Sequence, residues 1–204
     1  MATVVAEMTM SLDGFVADPS DGVEELFGWY DNGDVPVPTA DPERWTWHTS
    51  EASAGHLRDM LGSIGAVVSG RRMFDITDGW SGRHPLGVPV VVVTHSVPDG
   101  WPRDDAPFTF VTDGVEAAVA EAKSVAGDRV VGVGGADIAQ QCLNGGLLDE
   151  VHVNLAPVLL GEGIRFFDNL SSAPIELDGP KVIEGTGVTH LYYRLRTPDR
   201  EATQ

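Results

Sequence analysis

Short β-branched runs alternate with helical stretches along most of the chain. Thr3 to Met10 is apolar and β-branched, which predicts a first, central strand that ends at Ser11-Leu12-Asp13-Gly14, where Asp-Gly marks a turn. Further strands are predicted at Ala66 to Ser69, Val88 to Val93, Phe108 to Val111, Val130 to Val133 and Val151 to Leu155. The run from Val130 is too short for a helix and fits a strand covered on both faces. Helical spacing appears between them. Ala52, His56, Leu57 and Met60 share one face after a cap at Thr49 or Ser50, and Gly70-Arg71-Arg72-Met73-Phe74 opens a second helix. Val115 to Val125 is Ala-rich, and Ala136 to Leu143 stops at Asn144-Gly145-Gly146. The chain closes with Ile175 to Glu184 and Val188 to Arg196, an antiparallel hairpin around Gly185-Thr186-Gly187. This order predicts an α/β fold, a mainly parallel central sheet flanked by helices with an antiparallel C-terminal hairpin.

One stretch does not fit. Asp18 to Thr46 carries four prolines, several Asp-Gly or Asn-Gly pairs and Trp29, Tyr30 and Trp45, with no sustained period. It reads as a long unstructured connection whose aromatics argue for order, hence a lid over a pocket or a contact surface.

The 204 residues fit one domain, taken as 1–197, with a short tail at 198–204. Thirteen Lys and Arg against 31 Asp and Glu give a net charge of −18, which repels nucleic acids and anionic membranes. One Cys excludes an intrachain disulfide framework or a cysteine-rich zinc site, and Cys142 falls on the apolar side of its helix. No apolar run approaches the roughly 20 residues of a membrane span, and the cytoplasm is the expected location. Neither a helical His pair with a glutamate nor Gly-x-Ser-x-Gly occurs, so no metal site and no hydrolase nucleophile is expected.

Candidate chemistry gathers at strand ends. Gly134-Gly135 lies between a strand and a helix, where bare backbone N–H groups and the helix dipole suit a phosphate; alternatively the glycines only make a tight turn. The dinucleotide fingerprint is incomplete, because Gly132 and Gly134 start it but Asp137 stands where the third glycine belongs. Asp137 is read as a first-turn dipole residue. Arg71 and Arg72 sit together at a helix N-terminus, where their charge opposes the dipole unless an anion, or local carboxylates, offset it. Thr94-His95-Ser96 ends a strand and suits a ribose phosphate, or merely begins a loop.

Gly132 to Phe167, GVGGADIAQQCLNGGLLDEVHVNLAPVLLGEGIRFF, resembles the C-terminal half of the RibD C-terminal reductase domain, a branch of the dihydrofolate-reductase-like fold. MTMSLDGFVAD, Met8 to Asp18, resembles that family's opening, and Gly70-Arg71 its Gly-Arg-x-Thr element, with Met73 replacing the threonine. The resemblance implies an NADPH-dependent homodimeric reductase. It places Leu12, Asp13 and Gly14 at the active site, with Asp13 the candidate proton donor. It puts Gly70, Arg71, Arg72, Thr94, His95 and Ser96 by the nucleotide and its 2′-phosphate, and Val133, Gly134, Gly135, Ala136, Asp137 and Ile138 by the pyrophosphate. The implied reaction is reduction of 5-amino-6-(5-phosphoribosylamino)uracil in riboflavin synthesis. The alternatives are a non-catalytic nucleotide-binding dimer and a paralogous reductase of another small heterocyclic or carbonyl substrate. In dihydrofolate reductases an acidic helix residue seventeen positions before the Gly-Arg arginine holds the pterin. Here that count reaches Ala54, so dihydrofolate turnover is expected to be negligible.

Overall fold

The computed structural model describes residues 2–196; the tail expected at 198–204 lies outside them. In chain order the strands are β1 (Val4–Ser11), β2 (Phe15–Ala17), β3 (Val35–Pro38), β4 (Thr46–Thr49), β5 (Ile64–Gly70), β6 (Val90–Val93), β7 (Phe108–Val111), β8 (Val130–Gly134), β9 (Glu150–Ala156), β10 (Ile164–Arg165), β11 (Leu177–Gly185) and β12 (Val188–Leu195). The helices are α1 (Glu24–Phe27), α2 (Glu51–Ser63), α3 (Arg71–Ile76), α4 (Val115–Ala126) and α5 (Ala136–Asn144).

Eight strands form one sheet in the order β11-β12-β9-β1-β8-β5-β6-β7. The pairs from β9 through β7 are parallel, while β12 pairs antiparallel with both β9 and β11. The fold class and the terminal hairpin read from the sequence are both present. Central strands are covered on both faces, so Val90, Val91 and Val92 are all buried, which is why these segments are continuous apolar runs. On one face Val4, Ala6, Val68, Val131 and Val133 pack against Ala118, Ala122, Ile138 and Cys142 of α4 and α5. Cys142 is free and buried, and burial pushes its thiol up to about 12, which leaves it inert in the core. On the other face α2 starts at Ser50, whose hydroxyl accepts from Ser53 N–H, and it shelters His56 and Leu57.

The stretch 18–46 corrects the expectation of an unstructured connection. It holds α1, a 3₁₀ turn at Gly28–Tyr30 and strand β3, which pairs antiparallel with β4. Its prolines suggested a loop, but Val35 and Val37 alternate with Pro36 and Pro38 along β3. In a two-stranded ribbon only every second N–H bonds the partner, so proline is tolerated at the positions between. Trp29 anchors the segment: it is buried with Val37, Ala54, Leu57 and Val188, and its indole N–H donates to Thr9 Oγ1 at 3.3 Å.

Candidate active site

The strands β5, β6 and β8 end on one side of the sheet, and the turns that follow them border a cleft of about 1350 Å³. This exceeds the roughly 300–1,000 Å³ of a pocket for one small ligand and suits two side by side. One end is formed by Gly70, Arg71, Arg72, Thr94, His95, Ser96 and the run Val133 to Ile138. All these sequence candidates are therefore gathered on one surface.

The structure supplies reasons for a ligand there. Gly135 has φ +96°, and a Cβ built on it or on Gly134 meets nothing within 4 Å, so both open onto empty cleft. Helix α5 has no side-chain N-cap. Gly135 N–H finds only the thioether of Met8, at 3.3 Å, a weak acceptor. The Ser69 hydroxyl, beside Gly134 in the β5–β8 pairing, is buried and has no partner among the described residues. These are polar groups and open space that a bound molecule would use.

Both arginines carry carboxylates. Arg71 Nε donates to Asp75 at 2.8 and 2.9 Å and Arg71 Nη1 to the Ser96 carbonyl at 3.0 Å. Arg72 pairs with Asp21 through two bonds of 2.9 and 2.8 Å, joining α3 to the segment after β2. Thr94 Oγ1 donates to Ser96 O at 2.7 Å and shapes the strand-end turn. Asp137 accepts from Gln141 Nε2 at 2.6 Å within α5.

Leu12, Asp13 and Gly14 do not line the cleft, and the wall after β1 is formed instead by Val16, Ala17 and Asp21. Leu12 is 63% exposed and its N–H bonds Val158 O, while Gly14 O accepts from Phe166 N–H. The Asp13 carboxylate is engaged within its own turn and the neighbouring loop. It accepts from Ser11 Oγ at 2.6 Å, Leu160 N–H at 3.1 Å and Gly161 N–H at 2.7 Å. The Ser11 bond first, then those backbone donors, hold the carboxyl down at about 2. It ties the β1 turn to the 160–161 loop.

At the other end of the cleft only Tyr30 and Trp45, in the segment read as a lid over a pocket or a contact surface, were singled out from the sequence. Glu7, Thr9 and Asn154 form its polar floor, and Tyr30, Trp45, Trp47, Met60, Trp80 and His84 its walls. Tyr30 stacks on Trp29 at 3.9 Å and lies 5.2 Å from Trp47. Trp80 comes from a left-handed stretch, Asp78 to Ser81 with φ from +48° to +55°, and meets His84 edge-on at 4.6 Å. Such backbone costs about 1–3 kcal/mol per non-glycine residue and concentrates at ligand sites.

Behind the floor lies a polar network. Glu7 Oε1 is 3.1 Å from Asn154 Nδ2 and 3.1 Å from His56 Nε2, the latter off the line of a hydrogen bond; Glu7 Oε2 is 3.5 Å from His152 Nδ1. Burial pushes the Glu7 carboxyl up, but His152 and His56 outweigh it and hold it well below the usual range. For His152 burial acts downward, and Glu7 and Glu150 outweigh it to raise the imidazole. Ser53 Oγ contacts His190 Nε2 at 3.0 Å, and His190 Nδ1 contacts Asn154 Oδ1 at 2.7 Å. An amide oxygen only accepts, so Nδ1 carries the His190 proton, and the Asn154 amide is turned to donate to Glu7. Burial lowers His190 to about 4, consistent with this neutral tautomer. Burial, then Glu7, pushes the Tyr30 phenol up, so it stays protonated.

YwjB, an uncharacterized protein of Bacillus subtilis (strain 168), is 24% identical over 181 residues, covering 87% of this chain and 90% of that one. A protein provisionally assigned to riboflavin biosynthesis from Shewanella sp. PV-4 superposes with TM-score 0.69 at 21% identity, over 97% of this chain and 100% of its own. The Thermotoga maritima diaminohydroxyphosphoribosylaminopyrimidine deaminase/5-amino-6-(5-phosphoribosylamino)uracil reductase gives 0.62 at 14% identity, over 96% of this chain and 57% of its own. Enterococcus faecalis dihydrofolate reductase, complexed with NADP(H), gives 0.57 at 15%, over 96% and 97%. At these identities the structures establish a shared dihydrofolate-reductase-like fold. The model of the RibD C-terminal domain matches residues 2–183, and the chain belongs to that family.

Proposed function

We propose that this protein is an NADPH-dependent reductase of a small ring-bearing or carbonyl substrate. The observation that carries this is the floor of the nucleotide end: the empty space over Gly134 and Gly135, flanked by the unpartnered Ser69 hydroxyl. The residues present fit a dinucleotide. The uncapped first turn of α5 would hold the pyrophosphate, and Thr94, His95, Ser96 and Arg71 would surround the adenosine ribose and its phosphate. Bound there, the cofactor supplies a hydride. The chain orients it along the strand ends, walls it from water with Val16, Ala17 and Ile164, and leaves the aromatic end for the hydride acceptor. Reduction of 5-amino-6-(5-phosphoribosylamino)uracil, named for the Thermotoga relative, is the first reaction to test. A homodimer belongs to the same reading, since β11 leaves Leu177 and Val182 exposed at the sheet edge.

The test is tryptophan-quenching titration with NADPH and NADH, then loss of NADPH absorbance with a substrate panel. Arg71→Ala is expected to weaken NADPH roughly tenfold more than NADH, near the lower bound for a charged contact because Asp75 shares the guanidinium. Absence of NADPH binding would sink the proposal.

A further inference from the structure

The two ends of the cleft differ in charge. Among the described lining residues the basic side chains other than His are Arg71 and Arg72. Both belong to α3 at the nucleotide end, and both are bonded to carboxylates. The aromatic end contains His84, but burial lowers that imidazole to about 4 and leaves it neutral. Its one full charge is therefore Glu7, which lines the cleft together with Thr9, Asn154, Tyr30 and Trp47 and is near enough to Tyr30 to help raise its phenol. The Glu7 carboxylate is held in place but not saturated. A carboxylate offers about four acceptor positions. Glu7 has one aligned donor, Asn154 at 3.1 Å, with His56 at 3.1 Å off-line and His152 at a long 3.5 Å. The relay from Ser53 through His190 to Asn154 fixes its orientation from behind, leaving acceptor capacity toward the cleft.

We infer that the aromatic end takes a flat, unphosphorylated ring that presents a positive charge or N–H donors on one edge, with that edge on Glu7 and its face against Tyr30 and Trp47. A cation is drawn both to aromatic faces and to the carboxylate. A phosphate carried to the floor of this end would meet Glu7, a desolvated like-charge contact, while the nearest arginine, Arg44, is held at the rim by Trp80 O at 3.4 Å and the Trp45 ring at 4.1 Å. The inference rests on the reductase reading only in taking this end as the substrate's; it narrows that substrate away from phosphorylated compounds. Ser53, His190 and Asn154 act as positioning residues for Glu7.

The test uses one ring shape in three charge states: N-methylquinolinium, quinoline and quinoline-2-carboxylate, titrated calorimetrically into the full chain with and without NADPH. The cation should bind most tightly and the carboxylate least, with roughly a tenfold or larger gap. Glu7→Gln should remove the cation's advantage while NADPH affinity stays unchanged. That variant leaves His152 without a carboxylate partner on this side, so Trp47→Leu serves as a second probe and should weaken cation and neutral ring alike. Equal or tighter binding of the carboxylate, no binding by any of the three, or a preference for the cation that survives Glu7→Gln would overturn the inference. In a turnover arm, the phosphorylated ribosylaminouracil is compared with its dephosphorylated form. Faster NADPH oxidation with the phosphorylated compound would overturn the inference and support the reductase reading. Loss of NADPH binding beside an intact ring preference would do the reverse.

Discussion

Removing the Ser69 hydroxyl should change stability and cofactor affinity in opposite directions. Ser69 is 1% exposed on β5, paired with Gly134 of β8 on one side and Val92 of β6 on the other, and its Oγ has no partner. Burying an unsatisfied hydroxyl costs roughly 1–3 kcal/mol, whereas losing the dispersion contacts of one oxygen costs about a few tenths. Ser69→Ala should therefore stabilise the ligand-free protein by about 1 kcal/mol, which in a chain of this length raises Tm by roughly 2–4 °C. If the hydroxyl bonds the cofactor, the same variant forfeits a neutral hydrogen bond, roughly 0.5–1.5 kcal/mol or about a 2- to 12-fold loss of affinity. Urea unfolding without ligand and calorimetric titration with NADPH measure the two effects. A lower ligand-free Tm would show that the hydroxyl already has a partner inside the protein. Unchanged NADPH affinity would remove Ser69 from the binding surface.

The glycine argument is best tested at Gly134, because Gly135 at φ +96° would strain any replacement. Gly134→Val should keep a native circular dichroism spectrum and lose most NADPH binding; unchanged affinity would show that the glycines serve the turn alone. Asp13→Asn should lower Tm by replacing an acceptor of three bonds with an amide facing backbone N–H groups, and substrate KM should be unmoved; a change in KM with unaltered Tm would restore Asp13 to the site. His84 and His190 are held at about 4 by burial, while in the unfolded chain they take up protons near 6.5. Stability should fall as pH drops from about 6.5 toward 4, by about 1.4 kcal/mol per unit for each group while it is protonated only when unfolded. His152, raised by Glu7 and Glu150 against burial, contributes in the opposite sense: its stabilisation is full below about 6.5 and is lost as pH rises through its folded value. Imidazole NMR shifts against pH, with urea midpoints over the same range, check both, and a flat stability profile between pH 6.5 and 4 would refute the assignment.

The sheet was legible because its strands follow simple rules. Buried parallel strands such as β6 and β8 are unbroken apolar runs, and Gly145-Gly146 and Thr186-Gly187 mark where the chain turns back. The end of the cleft proposed to take the nucleotide was legible as one surface for the same reason, since its residues follow strand ends where glycine, hydroxyl and arginine stand out against valine. The aromatic end was not. Its members come from β1, the 18–46 segment, β4, α2, the turn after α3 and β9, and no local spacing links Glu7 to His56, His152 or Asn154. Glu7 is the one ionisable residue in a run read, correctly, as a central strand, and nothing local marks it as more than a polar alternate; with Val5 and Thr9 it lies on the face toward α2. Asp13 poses the complementary problem: a turn aspartate in a family-like motif has the same sequence appearance whether it faces a substrate or caps a neighbouring loop.

The absent helix carboxylate and the Trp-rich segment are two sides of one change. Ala54, seventeen positions before Arg71 where the resemblance to dihydrofolate reductases leads one to expect an acid, is fully buried against Trp29, Leu57 and Val188. A carboxylate at that position would be enclosed by apolar side chains and held neutral or expelled. Trp29, which fills this space, also donates to Thr9, two residues from Glu7 on the same face of β1, and Tyr30, stacked on Trp29, lines the cleft above that strand. The segment that closes the helix site therefore builds the aromatic wall over the strand site. A ring bound here meets its acidic partner from β1, with the His56, His152 and Asn154 layer behind it, rather than from α2. Negligible dihydrofolate turnover still follows, now for a geometric reason: the cleft has a carboxylate, but it reaches the ring from a different element of the fold.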